Sequence, residues 1–296
     1  MAVYDVLIIG AGAAGISAAI QLKRCGINPV IMDGGQVGGL LWNANLVENY
    51  PGFPGGIPGP KLVKLFLKHL EITGIIVRPE KALSVNRDGD YFTIETPAEE
   101  LQCRILVVAT GTKPKKANLQ ISREIPPGLI LSEIVSILNI KGRKIAIIGA
   151  GDAAFDYALN LSRRNDVIIL NRGNNIKCLP ILWARAQDSV SIKYRFSTKI
   201  DRVNYDKGRL VLECSEAKGN FSLEADYLIT AVGREANLDF LSSGLNAEKD
   251  RLANEGLLYF IGDVTNGIYR QTAICAGQGV LAAMKISNKL GALKRN

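Results

Sequence analysis

Two glycine-rich turns of one design, far apart in the chain, are the residues best suited to chemistry. The first is Gly10-Ala11-Gly12-Ala13-Ala14-Gly15, directly after the apolar run Val6-Leu7-Ile8-Ile9. The second is Gly149-Ala150-Gly151-Asp152-Ala153-Ala154, directly after Ile145-Ala146-Ile147-Ile148. In such a turn the first glycine permits the sharp bend and the second lets the backbone approach a pyrophosphate. The third lets the following helix pack close to the strand. That helix then offers unbonded N–H groups and the positive end of its dipole to the phosphates. Gly10, Gly12 and Gly15 fill the three places in the first turn. Gly149, Gly151 and Ala154 fill them in the second, where the fingerprint permits alanine in third place. Two such turns imply two dinucleotides held by one polypeptide. The chemistry that needs both is hydride transfer between a nicotinamide and a flavin, which the cofactors carry and the protein aligns.

The residues that end the next strands separate the two sites. Asp33 closes the strand after the first turn. A carboxylate there accepts hydrogen bonds from an adenosine ribose and repels a 2′-phosphate, so the first site is expected to hold a dinucleotide without an extra phosphate. The second unit ends in Asn171-Arg172, with Lys177 nearby and no acid. Read as ligands, Arg172 and Lys177 pair with a 2′-phosphate and favour NADPH over NADH. Read structurally, they are two surface cations at a strand end.

Other chemistries are poorly supplied. The cysteines are Cys25, Cys103, Cys178, Cys214 and Cys275, an odd number with no CxxC pair, so no disulfide framework is expected. One histidine, His69, lies among Lys61, Lys64, Lys68 and Glu71 on an amphipathic helix pattern, which marks it as a solvated residue. With a single histidine neither a catalytic triad nor a metal site is expected. The net charge of +8 suits an acidic partner, because opposite charge speeds encounter. The basic residues are dispersed without a recognisable nucleic-acid module, so no nucleic-acid partner is expected. No apolar run approaches the roughly 20 residues of a membrane helix, and no basic leader precedes the first strand, so a cytoplasmic protein is expected.

The elements that position these residues follow from periodicity. A strand over Val3 to Ile9, a helix over Gly15 to Arg24 and a strand over Asn28 to Met32 form one βαβ unit. Ile145 to Ile148, a helix through Leu161 and Val167 to Leu170 form another. Asp90 to Thr96 alternates as an antiparallel strand does. Strands lead into Ala109-Thr110-Gly111, into Thr230-Ala231-Val232-Gly233 and into Gly262-Asp263, and a helix-like run from Thr272 to Leu290 closes the chain. The pattern predicts an α/β protein of two Rossmann-like, three-layer ββα nucleotide-binding domains, the second inserted into the first. The boundaries are read as 1–114 and 236–296 for the first domain and 115–235 for the second.

Over nearly its full length the chain resembles the low-molecular-weight thioredoxin reductase family. The likeness rests on an ordered set: the first glycine motif, Gly34-Gly35-Gln36, Val47-Glu48-Asn49-Tyr50-Pro51-Gly52-Phe53, Ala109-Thr110-Gly111, the second glycine motif, Gly262-Asp263 and Arg270-Gln271-Thr272-Ala273. The resemblance implies FAD in the first domain and NADPH in the second, and a homodimer. It implies that Gly10, Gly12, Gly15 and Asp33 hold the ADP half of FAD, with Ala13, Ala14 and Gly35 beside them. Gln36 and Asn49 would approach the flavin, Asp263 its ribitol, and Arg270, Gln271 and Thr272 the pyrimidine edge of its ring. In the nicotinamide domain it assigns Gly149, Gly151, Asp152, Ala153, Arg172 and Lys177.

One departure from the family bears on function. Counted back from Gly149 without gaps, the two cysteines of the family's CxxC fall on Ser132 and Val135. Exchange with a disulfide requires a thiolate, which neither side chain supplies. The family's basic set after the second strand is also thinned here, to Arg172 and Lys177. The expected activity is an FAD-dependent NAD(P)H oxidoreductase whose flavin passes electrons directly to an external acceptor. That acceptor is a ferredoxin- or flavodoxin-type carrier or a small disulfide. The competing expectation is a flavoprotein without turnover, a redox sensor or binding subunit with a weak nicotinamide site.

Overall fold

The computed structural model describes residues 3–121 and 125–293. In chain order, β1 (Val3–Ile9), α1 (Ala13–Arg24), β2 (Val30–Met32), α2 (Gly59–Thr73) and β3 (Val77–Arg78) come first. Next are β4 (Ser84–Asp88), β5 (Tyr91–Glu95), β6 (Glu100–Val108), β7 (Thr112–Pro114), β8 (Gln120–Ile121) and β9 (Ile130–Leu131). The middle holds β10 (Lys144–Ile148), α3 (Asp152–Leu161), β11 (Asp166–Leu170), α4 (Pro180–Gln187) and β12 (Ile192–Arg195). Then follow β13 (Lys199–Asp206), β14 (Arg209–Glu216), β15 (Gly219–Ala225), β16 (Tyr227–Thr230) and β17 (Arg234–Ala236). The last elements are α5 (Ser243–Asn254), β18 (Leu258–Phe260) and α6 (Thr272–Leu293).

The chain divides into two units. Unit 1 comprises 1–42, 47–113 and 235–296, and unit 2 comprises 43–46 and 114–234. The chain passes between them along β7 and β17, which pair as a two-stranded sheet. The short return of Asn43–Leu46 into unit 2 has no counterpart in the sequence pattern.

In unit 1, the sheet runs β3-β2-β1-β6-β5-β4, with β18 also on β6. β2 and β6 flank β1 in parallel, while β4, β5 and β6 form an antiparallel meander. From Val6 to Ile9 β1 is apolar without a break, because both faces are covered there. Val6 and Ile8 pack with Ile16 and Leu22 of α1 and Ala283 and Ile286 of α6. Leu7 and Ile9 pack on the opposite face with Phe92, Ile94 and, from α5, Leu245 and Leu252. Small residues bring α1 and α6 together: a Cβ on Gly279 would stand 2.2 Å from the Ala14 carbonyl oxygen.

Unit 2 repeats the plan. Five parallel strands run β12-β11-β10-β16-β9. Ile145 and Ile147 face Phe155 and Leu161 of α3, and Ala146 faces Val203, Leu210 and Leu212 of the β13–β15 meander. Unit 2 therefore has helices on one face of its sheet and antiparallel strands on the other, whereas in unit 1 the antiparallel strands continue the sheet through β6 and α5 shares the second face with them. Among the described residues no helix is long and apolar enough to cross a membrane.

Candidate functional site

In unit 1 the glycines divide their work by geometry. Gly10 has φ +106°, and a Cβ there would lie 2.3 Å from the Ala109 carbonyl oxygen. A Cβ on Gly15 would lie 1.9 Å from the Gly10 oxygen. Both positions are closed to any side chain by protein backbone. At Gly12 a Cβ would meet nothing within 4 Å, so the space beside it is open. Gly12 is the N-cap of α1, and no side chain caps that end. The first-turn N–H groups at Ala13 and Ala14 face that opening, which is the cradle a pyrophosphate needs. Asp33 is pinned beside it: Oδ2 accepts from Ala11 N at 2.6 Å and Oδ1 from Gly35 N at 2.7 Å. Each carboxylate oxygen keeps a lone pair for a ribose hydroxyl.

The C-terminal residues come to the same turn. A Cβ on Gly262 would lie 2.8 Å from Ala14 Cβ, so the Gly262–Val264 turn abuts the start of α1. This places Asp263 there, with Cys275 Sγ donating to its Oδ1 at 3.1 Å. Burial pushes the Cys275 thiol far above the usual range, and the adjacent Asp263 charge adds to the shift. It is a poor thiolate source. Asn49 Nδ2 donates to Gln271 Oε1 at 2.9 Å, which joins two residues that are 222 apart in the chain. Thr110 Oγ1 donates to the Asn237 carbonyl at 2.7 Å, and Gly111 bends at φ +61°. Gln36 stands exposed, its carbonyl accepting from Gly39 N. Arg270 and Thr272 lie at the entry to α6.

Unit 2 carries its own turn. A Cβ on Gly149 would lie 2.7 Å from the Ala231 oxygen, whereas Gly151, N-cap of α3, again faces open space. Asp152 is not turned to that space alone, because its Oδ1 accepts from Leu179 N at 2.8 Å and ties down the start of α4. Lys177 N donates to the Ala150 carbonyl at 2.8 Å, which brings the lysine to the turn. Asn171 is 7% exposed and is spent on its own loop. It accepts from Gly173 N and donates to the Asn175 carbonyl and the Tyr194 hydroxyl. Arg172, Ala153 and Lys177 are exposed, and among the described residues neither cation has an acidic partner. Phe155, Trp183, Tyr194 and Phe196 form one aromatic cluster alongside.

Ser132 and Val135 follow β9, at the start of a 3-10 helix over Val135–Ile137. Asn43, 2% exposed, holds this segment: its Oδ1 accepts from Ile134 N at 2.8 Å and Val135 N at 2.9 Å. Its Nδ2 donates to Glu133 Oε2, whose Oε1 accepts from Arg234 at 3.0 Å. Nearby, Asn45 N donates to Asp156 Oδ2 at 2.8 Å, and Arg163 donates to Asn45 Oδ1 at 2.7 Å. Burial raises the Asp156 carboxyl to about 6, against the opposing backbone N–H groups of Asn45 and Leu46. Sequence reasoning missed Asn43, Glu133, Asp156 and Arg234. Their partners are too distant along the chain for any local pattern to show. All five cysteines are free.

With this geometry in place, the likenesses to known proteins are informative. Residues 4–279 match the family model described as pyridine nucleotide-disulphide oxidoreductase. The chain is 29% identical to the NADPH-dependent thioredoxin reductase 3 of Arabidopsis thaliana, over 97% of this chain and 58% of that protein. It is 27% identical to the thioredoxin reductase of Borreliella burgdorferi, over 97% of this chain and 92% of that one. Among solved structures, the thioredoxin reductase of T. acidophilum superposes with a TM-score of 0.84 at 26% identity, covering 97% and 98% of the two chains.

Proposed function

Because the chain belongs to the pyridine nucleotide-disulphide oxidoreductase family, we propose that it is an FAD-dependent NAD(P)H oxidoreductase. Its flavin passes electrons directly to an external acceptor, with no protein dithiol between. Its cofactors are FAD, held by unit 1, and NADPH, held by unit 2, in line with the fit of the two turns and with the NADPH-dependent relative. Bound there, the pair supplies hydride transfer from nicotinamide C4 to flavin N5.

The protein binds and orients. Gly12, Ala13 and Ala14 take the FAD pyrophosphate, and Asp33, with Gly35 at its side, takes the adenosine ribose. Asp263 takes the ribitol. Gln36 and the Asn49–Gln271 pair border the ring, and Arg270 and Thr272 lie at its pyrimidine edge. α6 begins at Thr272, and the positive end of its dipole favours negative charge on a ring seated there. Gly151 and Ala153 take the NADPH pyrophosphate, and Arg172 and Lys177 its 2′-phosphate.

The observation that carries the direct transfer is at the dithiol positions. Ser132 and Val135 stand there, and no CxxC occurs anywhere in the sequence. The amides of Ile134 and Val135, which would stabilise a thiolate at such a position, are already bonded to Asn43. The net charge of +8 supports an acidic one-electron carrier of ferredoxin or flavodoxin type. A small disulfide is the other acceptor class. The protein acts in the cytoplasm as a homodimer.

The test is anaerobic titration of the yellow protein, first with NADPH and then with NADH. Rapid bleaching by NADPH is expected, followed by reoxidation with ferredoxin, flavodoxin or a small disulfide. Efficient reoxidation by thioredoxin would overturn the reading. No bleaching by either nucleotide would favour a flavoprotein without turnover, a redox sensor or binding subunit. That second reading draws on Gly173, which leaves the loop after β11 with only Arg172 and Lys177 as cations.

A further inference from the structure

Unit 2 carries a cleft of about 320 Å³ along its edge strand β9, apart from the glycine turn and the Arg172 loop. Ile121 and Ile130 lie along its apolar wall, and Lys115, Lys116, Ser132 and Thr230 supply its polar atoms. Among the described residues no acidic side chain lines it. The root of Lys115 is fixed, because its backbone N donates to the Gly233 carbonyl at 3.0 Å. Its Cδ would lie 3.7 Å from a Cβ on Gly233, so the stem runs past that bare backbone. Thr230 is partly spent, its hydroxyl donating to the Leu131 carbonyl at 3.3 Å. Among the described residues neither Lys115 nor Lys116 has a carboxylate partner.

Both lysines bring positive charge to the cleft, and an anion there gains charge-assisted hydrogen bonds from them. The apolar wall beside them gains by covering an apolar body. The volume lies at the small end of small-molecule sites, which run from roughly 300 Å³ upward. We propose that this cleft binds a small organic anion, its carboxylate, sulfonate or phosphate group on Lys115 and Lys116 and its apolar body against Ile121 and Ile130. The site adjoins Ser132, and it is independent of whether the flavin reaction above is correct.

The probe is naphthalene-1-sulfonate, compared with the uncharged naphthalene-1-sulfonamide, titrated calorimetrically into the full-length FAD-loaded protein. One equivalent of sulfonate is expected to bind about tenfold or more tightly than the sulfonamide. K115A/K116A removes that preference and leaves sulfonamide binding within about twofold. I121E weakens both probes, and because Ile121 is 53% exposed the fold tolerates the change. FAD content and thermal midpoint report that both variants fold. Equal binding of the two probes, unchanged sulfonate binding in K115A/K116A, or no binding of either probe would overturn the proposal.

Discussion

Asp156 gives unit 2 a pH dependence with a definite sign. Its folded value of about 6 lies above the ordinary 3.8, chiefly because burial disfavours the charged form. Between those values the unfolded chain has released a proton that the folded chain retains. Stability is therefore highest below the lower value, falls as pH rises through the window and levels off above the upper one. The change is at most roughly 3 kcal/mol, from the shift alone. Asp156→Asn should flatten this slope, read as the thermal midpoint at a series of pH values, and should not destabilise the protein at neutral pH. A midpoint that still falls across the window in the variant would remove Asp156 as its origin. The glycines give a second contrast. Gly15→Ala should abolish the folded holoprotein, because its Cβ would collide with the Gly10 carbonyl. Gly12→Ala should fold and lose FAD affinity instead, because only the open cradle is filled. Thermal midpoint and FAD titration of the two variants separate these outcomes. Arg172→Ala should raise KM for NADPH more than for NADH, and an equal rise would remove it from phosphate recognition.

Elements that bury both faces announce themselves as unbroken apolar runs, and the βαβ units are legible in the sequence for that reason. Val3–Ile9 is a strand over the full predicted range, and the helix predicted to end at Leu161 does so. Short or half-exposed elements are less legible. β2 begins at Val30 rather than Asn28, because Pro29 lacks the N–H a central strand must donate. The helices α4 and α5 give weak periodic signals, since much of each is solvated. The cofactor turns are legible because their glycines are local. The hold of Asn43 on the segment after β9 is not, because it is made by one side chain 91 residues from its partners. That hold bears on any attempt to place a CxxC pair at Ser132 and Val135. S132C/V135C restores the spacing but not the free amides, so its thiols should titrate near ordinary cysteine values. Thioredoxin reduction should stay slight, and substantial turnover would show that the Asn43 bonds do not limit a thiolate there.

On the scale of the whole molecule, α6 has a second face. Cys275, Ala282, Ala283 and Ile286 are buried in unit 1, while Ile274, Leu281 and Met284 lie outward at helical spacing, 41%, 53% and 50% exposed. An outward apolar stripe of this kind is suited to pairing with a second copy. Sedimentation of the wild type should give a dimer, and Leu281→Glu should shift it toward monomer with FAD content unchanged. A dimer of undiminished affinity in that variant would place the contact elsewhere.

The excursion of Asn43–Leu46 has a consequence for anyone who dissects the gene. A fragment cut at the two β-ribbon crossings, 114–234, is contiguous in sequence yet lacks the four residues that join unit 2 from far upstream. It would present the amides of Ile134 and Val135 with no acceptor, and the carboxylate of Asp156 with no donor from Asn45. Expressed alone, it should be a sticky, poorly cooperative polypeptide. A synthetic peptide spanning the missing four residues, added in trans, should tighten its unfolding transition.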